Sequence, residues 1–185
     1  MGDIRAIPTI YRGRRFRSRL EARWAVILDQ LGIQWEYEAE GCEIKIGPGA
    51  WIRYLPDFTL RFPEEKRGGR TPSTLYLEVK GQMTFEDAIK IKAFADTGRA
   101  IYVAGAIPDN IECLWGAHYT SAVFGIPFFG FDLVDGDNYP AMLGVTKDGK
   151  TGLFGPDWWH DEGMDYERTE VAYAMGRMAH FEFNA

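Results

Sequence analysis

Residues 75–81 read LYLEVKG, and the fold turns on how that stretch is read. As a β-strand it puts Leu75, Leu77 and Val79 on one face and Tyr76, Glu78 and Lys80 on the other, with Gly81 closing it. Glu78 and Lys80 are then same-face neighbours. A solvated strand carries such a pair for solubility, and an exposed ion pair stabilises little. An active site also brings a carboxylate and an ammonium within a few ångströms of each other. The flanking segments decide between these readings.

Upstream, WIRYLPDFTLRF (51–62) predicts the preceding strand, where Pro56 marks an edge, a bulge or a change of direction. The polar loop PEEKRGGRTPS (63–73) joins it to LYLEVK. Further back, WEYEAE (35–40) and CEIKI (42–46) alternate as strands do, and IGPGAW (46–51) is a turn. SRLEARWAVILDQLG (18–32) predicts a helix: Ser18 is an N-cap, Leu20, Trp24, Ile27, Leu28 and Leu31 make one apolar stripe, and Gly32 is a stop. Downstream, TFEDAIKIKAFADTG (84–98) predicts a helix opening at Thr84, and RAIYVAG (99–105) a buried strand. Helix, three strands, helix, strand is the order of an α/β domain around a mixed sheet. Residues 111–155 read as short strands and loops, with TSAVFGI (120–126) and FFGFDLV (128–134) the strongest strands. GPDWWHDEGMD (155–165) reads as a loop and YERTEVAYAMGRMAHF (166–181) as a closing helix. One domain over 1–185 is expected, with a core at about 15–105 and an elaboration at about 106–185.

The composition, 46% hydrophobic and 26% charged, is that of a soluble globular chain. Its longest apolar runs, such as 122–131, are broken by Gly and Pro, which excludes a membrane span. The first residues, MGDIRAIPTIYRGRRF, lack the apolar core of a signal peptide, so a cytoplasmic location is expected. Cys42 and Cys113 form no spacing motif and read as two free thiols, with one disulfide the alternative. The net charge of −6 is unevenly spread. Residues 1–35 hold seven arginines against three acids, whereas the other 150 hold 14 basic and 24 acidic groups. An arginine-rich arm therefore precedes an acidic body. Arginine in place of lysine suits phosphate recognition.

Asp57 sits beside Pro56 on the strand before LYLEVK, and Glu78 and Lys80 follow on the next strand. Consecutive strands joined by one loop are expected to pair, which brings the two carboxylates together. Their repulsion is relieved by a hard divalent cation, for which oxygen ligands are suited. Lys80 can then orient or deprotonate water and stabilise anionic charge on a phosphate. Glu21, about 20° from Leu28 on the helical wheel, lies at the margin of the apolar stripe and can face the same sheet end. Each element has a plainer explanation: Ser18-x-x-Glu21 is a capping box, Pro-Asp is turn chemistry, and Glu-x-Lys is a solvated ion pair.

In that order, helix glutamate, strand Pro-Asp and strand Glu-x-Lys-Gly, the segment 15–105 resembles the PD-(D/E)xK nuclease superfamily. Within it, the segment resembles small phage-encoded nucleases, Holliday-junction resolvases and transposon end-cleaving nucleases. The resemblance implies a restriction-endonuclease-like αβββαβ core: a mixed central sheet flanked by helices, here with a C-terminal β/loop extension and closing helix. It implies a Mg²⁺ site, with Mn²⁺ a substitute, made by Asp57, Glu78 and the Val79 carbonyl, with Glu21 an accessory ligand. Lys80 would act on the attacking water. The implied activity is endonucleolytic hydrolysis of phosphodiester bonds in DNA, by a phage or mobile-element protein in a bacterial host acting on structured or branched DNA. Arg12, Arg14, Arg15 and Arg17 precede the helix of Glu21 and become candidates for phosphate contact. Gln82 is a weaker candidate for contact with metal or DNA, and Lys90 and Lys92 for lining a DNA channel. A homodimer is implied if symmetric substrates are cut in pairs. The alternative is a non-cleaving DNA- or protein-binding module that retains the nuclease fold. Trp158, Trp159 and His160 read as a packing loop rather than a ligand set.

Overall fold

The computed structural model describes residues 6–68, 71–109, 111, 126–128, 141–154 and 163–181, and for 126–128 the backbone only. The arginine-rich segment is a β-hairpin rather than an arm. β1 (Thr9–Tyr11) pairs antiparallel with β2 (Arg14–Phe16). Arg12 and Gly13 in the turn have φ of 49° and 73°, the paired positive values of a type I′ hairpin. Strands of three residues are too short to leave an alternating pattern in the sequence. What holds them is Phe16, fully buried and packed on the rings of Tyr37 and Phe58.

α1 (Arg19–Leu31) starts where the Ser18 hydroxyl accepts the Glu21 amide at 3.1 Å and stops at Gly32, whose φ of 74° ends the helix without a Cβ clash. Its apolar stripe is buried through Trp24, Ile27, Leu28 and Leu31, and Trp24 Nε1 donates to the Gly105 carbonyl at 2.9 Å. β3 (Gln34–Tyr37) follows. β4 (Cys42–Gly47) and β5 (Ala50–Tyr54) then form a separate antiparallel hairpin. The strand expected over 51–62 is broken: β5 belongs to this hairpin, and β6 (Phe58–Arg61) to the main sheet. Pro56 sits between them, so of the three options it marks a change of direction, and Asp57 occupies the corner.

β7 (Thr74–Val79) pairs antiparallel with β6, then α2 (Phe85–Ala95) crosses over to β8 (Ile101–Ala104), which pairs parallel with β7. β9 (Ile126–Phe128) closes the edge, giving a mixed five-stranded sheet in the order β3-β6-β7-β8-β9. The two faces are covered differently. Leu75, Leu77, Val79, Tyr102 and Ala104 pack on the α1 side. Ile101 and Val103 pack on the other side with Ile91 and Phe94 of α2 and with Ile44 and Tyr54 of the β4–β5 hairpin. Each fully buried leucine or isoleucine contributes about 1.5–3 kcal/mol of transfer free energy. Glu78 and Lys80 thus face a covered side of the sheet, not open solvent.

β10 (Met142–Val145) and β11 (Thr151–Phe154) form a third small hairpin, and α3 (Tyr166–Met178) packs along α1. The described chain is a mixed α/β fold with a mixed sheet and three α-helices. Of the strands expected over 120–134, only 126–128 is among the described residues. Cys113, His118, Trp158, Trp159 and His160 lie outside them. Among the described residues no helix is long and apolar enough to cross a membrane.

Candidate active site

The corner after Pro56 fixes Asp57 against the end of β7. Its backbone carbonyl accepts the Glu38 amide at 2.8 Å, and its side-chain Oδ2 accepts the Val79 amide at 2.7 Å. Oδ1 meets the Arg17 guanidinium, whose Nε also lies 2.9 Å from Glu38. Asp57 is only 2% exposed. A strand residue points its amide and carbonyl to the same edge, so the Val79 carbonyl shares the edge on which Asp57 sits. Burial, and then the neighbouring Glu78 charge, push the Asp57 carboxyl up to about 7 against the opposing Val79 amide and Arg17.

Glu78, 4% exposed, projects from β7 toward α2 and the β4–β5 hairpin. Its Oε1 is 2.9 Å from Lys80 Nζ. Its Oε2 is buried with no hydrogen-bond partner, a state that costs about 1–3 kcal/mol when nothing fills the gap. The Tyr54 hydroxyl is buried beside Glu78 without a well-formed hydrogen bond; burial, then the Glu78 charge, hold its pKa above the ordinary phenol value.

Lys80 Nζ lies between Glu78 and Asp87, 3.0 Å from the latter. Burial alone would lower the Lys80 pKa, but the two carboxylates outweigh it and the pKa is raised. Asp87 also closes the N-terminus of α2: it accepts from the Thr84 amide at 3.0 Å and hydroxyl at 2.6 Å, while its own amide donates back to Thr84. Burial raises the Asp87 pKa, yet the bonds from Thr84 and Lys80 prevail and it is lowered. The sequence reading missed Asp87 and Tyr54. Asp87 was detectable as the T-x-x-D cap opening three residues after Gly81; nothing local marks Tyr54.

Glu21 is buried at the same cleft, and its carboxylate is committed to protein donors. Oε1 accepts the Ser18 hydroxyl at 2.7 Å, and Oε2 accepts the Arg17 amide at 3.1 Å and the Tyr37 hydroxyl. The capping reading therefore holds in altered form, with Arg17 replacing Ser18 as the amide reached, and the capped carboxylate also lines the cleft. Its charge still raises the Asp57 pKa.

These groups line one cleft of about 740 Å³ between the β4–β5 hairpin and α2. The structure brings Arg17, Glu21, Asp57, Glu78, Val79 and Lys80 together there, with Lys90 on the α2 wall, paired to Glu86. It does not bring Arg12, Arg14, Arg15, Gln82 or Lys92 to the cleft lining. Arg12 pairs with Asp29 at 3.0 Å, Arg14 donates to the Tyr37 carbonyl and lies over the Trp35 ring, and Lys92 pairs with Asp96 at 2.7 Å. Arg15 and Gln82 are exposed.

Among the described residues, no three His, Cys, Asp or Glu side chains are grouped to hold an ion by themselves. The donor set that fits is two carboxylates and a backbone carbonyl. Mg²⁺ is commonly held by one or two carboxylates, with water and phosphate completing its shell. The unpartnered Glu78 Oε2 beside Asp57 is the feature that suits such an ion. No family model, no curated protein and no solved structure matches the chain.

Proposed function

We propose that this chain is a metal-dependent DNA endonuclease of the PD-(D/E)xK type. The observation that carries the reading is the buried, unpartnered Oε2 of Glu78 at the end of β7, with Asp57 drawn to the same end by the Val79 amide. The order α1, β3, β6, β7, α2, β8 supports it, being the order of a restriction-endonuclease-like core once the β4–β5 hairpin is set aside. Asp57, Glu78 and the Val79 carbonyl would hold Mg²⁺ or Mn²⁺. The ion supplies a nucleophile from water at neutral pH and stabilises charge on the phosphate and on the leaving oxygen.

The chain's own residues supply the rest. Lys80, kept protonated between Glu78 and Asp87, presents its Nζ at the cleft, where it orients the attacking water and offsets charge on the phosphate oxygens. Arg17, half exposed and hydrogen-bonded to Asp57, can turn to a backbone phosphate once Asp57 has another cation. Tyr54 and the hairpin exclude water from the Glu78 side. The products are a 5′-phosphate and a 3′-hydroxyl. A phage or mobile-element origin, a bacterial host, a preference for structured or branched DNA, and a dimer for paired cuts belong to the same proposal and rest on the resemblance.

The second reading, a non-cleaving DNA- or protein-binding module, is favoured by one observation: Arg17 and Lys80 already pair with Asp57 and Glu78. One assay separates the two. Purified protein is incubated with linear, circular, single-stranded and four-way-junction DNA in Mg²⁺, Mn²⁺ or EDTA, beside Asp57→Asn and Lys80→Ala. The nuclease reading expects cleavage that needs metal and falls about 10²–10⁴-fold in Lys80→Ala. Cutting that survives both substitutions places the chemistry elsewhere. Binding without cutting in any metal establishes the module.

A further inference from the structure

Two cations of the chain already sit on the carboxylates of the cleft, and they are held differently. Lys80 is 27% exposed and lies between Glu78 and Asp87, so it keeps Asp87 when Glu78 takes another partner. Arg17 is 57% exposed, with its guanidinium on Asp57 Oδ1 and its Nε 2.9 Å from Glu38. Its backbone is the fixed part: the amide donates to Glu21 Oε2 and to the Tyr37 hydroxyl, each at 3.1 Å. An anchored backbone carrying a long, exposed side chain lets the guanidinium swing outward without any movement of α1.

Asp57 Oδ2 accepts the Val79 amide at 2.7 Å, which leaves Oδ1 as the oxygen for a cation, and Arg17 occupies it. A guanidinium and a divalent ion on one buried oxygen repel each other strongly, so each excludes the other. In the free chain Arg17 offsets the mutual repulsion of Asp57, Glu78 and Glu21, which line the same cleft. Glu38 serves both members of the pair. Its amide donates to the Asp57 carbonyl at 2.8 Å while its carboxylate holds Arg17. Its φ of 48° is a left-handed value uncommon outside glycine, and such a conformation persists where the surrounding contacts over-determine it.

We propose, resting on the nuclease reading, that Arg17 is a resident cation that keeps the metal site occupied in the free chain and passes to a DNA phosphate when an ion takes Asp57. Ion and DNA then favour each other's binding. The ion releases the guanidinium that the phosphate needs, and the phosphate draws away the guanidinium that competes with the ion. Linkage makes the two effects equal in size. The chain alone binds the ion weakly, and its site is completed on DNA.

The test reads binding rather than cutting. Mn²⁺ is titrated into wild type and Arg17→Gln by isothermal calorimetry without DNA. Labelled duplex, single-stranded and four-way-junction DNA are then bound in Mn²⁺ and in EDTA by fluorescence anisotropy, with Lys80→Ala in both proteins so that the DNA stays intact. The expected pattern has opposite signs: Arg17→Gln binds Mn²⁺ about 5- to 150-fold more tightly, yet binds DNA more weakly in Mn²⁺ and nearly unchanged in EDTA. Arg17→Lys, which keeps the charge but not the planar fork, is expected to fall between the two. Circular dichroism melts establish that the variants are folded. Loss of a merely general positive charge would weaken DNA binding equally in Mn²⁺ and EDTA, and that result overturns the proposal. Unchanged or weaker Mn²⁺ binding by Arg17→Gln also overturns it, and the nuclease reading then stands as long as wild type binds the ion. Absence of Mn²⁺ binding, or of DNA binding in Mn²⁺, in every protein removes both the proposal and the nuclease reading.

Discussion

Asp57 is a carboxylate that burial and a neighbouring carboxylate both hold toward its neutral form. An unfolded aspartate titrates near 3.8, and in the folded chain the value rises to about 7. Between those limits the folded state binds more protons than the unfolded one, so stability falls as pH rises. The expected outcome is a metal-free melting temperature that is lower at pH 8 than at pH 5, and a smaller difference in Asp57→Asn, measured by differential scanning fluorimetry. An equal pH dependence in both proteins would assign the penalty to other groups. The residues most legible in the sequence were those fixed by a neighbour in the chain: Glu78 and Lys80 through strand alternation, and Asp57 through Pro56. Tyr54 was not legible, because its place beside Glu78 depends on how the hairpin folds over the sheet. The phosphate role read into Arg12, Arg14 and Arg15 treated adjacent arginines as one group. A hairpin sends alternate residues to opposite faces, and only Arg17, past its end, lines the cleft.

At the scale of elements, α1 was readable from end to end because its cap, stripe and stop are local features. The strand read over 51–62 was not, since both halves are apolar and alternating whether or not they share a sheet. The contact between α1 and α3 is also invisible in the sequence. Gly176 lies so near α1 that a Cβ there would stand 2.5 Å from Ile27 Cγ1 and 3.1 Å from the Arg23 carbonyl. In an open helix Gly→Ala gains about 1 kcal/mol; overpacking a close contact costs about 1–3 kcal/mol. Overpacking should win, because one of the two neighbours is backbone. Gly176→Val is therefore expected to lower the melting temperature by about 2–10 °C, with Gly176→Ala in the same direction and Met175→Ala, exposed on the same helix, near zero. A stabilised Gly176→Ala would show that α3 can withdraw from α1 freely.

For the whole molecule, the acidic groups at the cleft predict linkage between ion binding and folding. An ion that binds the folded chain alone, at one hundred times its Kd, stabilises by about 2.7 kcal/mol, or about 5–10 °C for a chain of this length. Mg²⁺ and Mn²⁺ are expected to raise the melting temperature of the wild type and to have little effect on Asp57→Asn. An equal rise in both would mean that ions bind outside the cleft.

By itself the sequence determined what depends on residues near one another along the chain. The bounds of α1, the start of α2 at its Thr84 cap, the alternation of β7, the pairing of β6 with β7 across a single loop, and the meeting of Asp57 with the end of β7 all follow from local sterics, capping and short connections. Tertiary structure alone decided what depends on distant segments meeting. It folded the β4–β5 hairpin across the sheet face, buried Glu78 with one oxygen unpartnered, and brought Asp87 to Lys80 from the start of α2. Burial and charge environment are set by everything packed around a group, and a reading along the chain sees only the neighbours on either side.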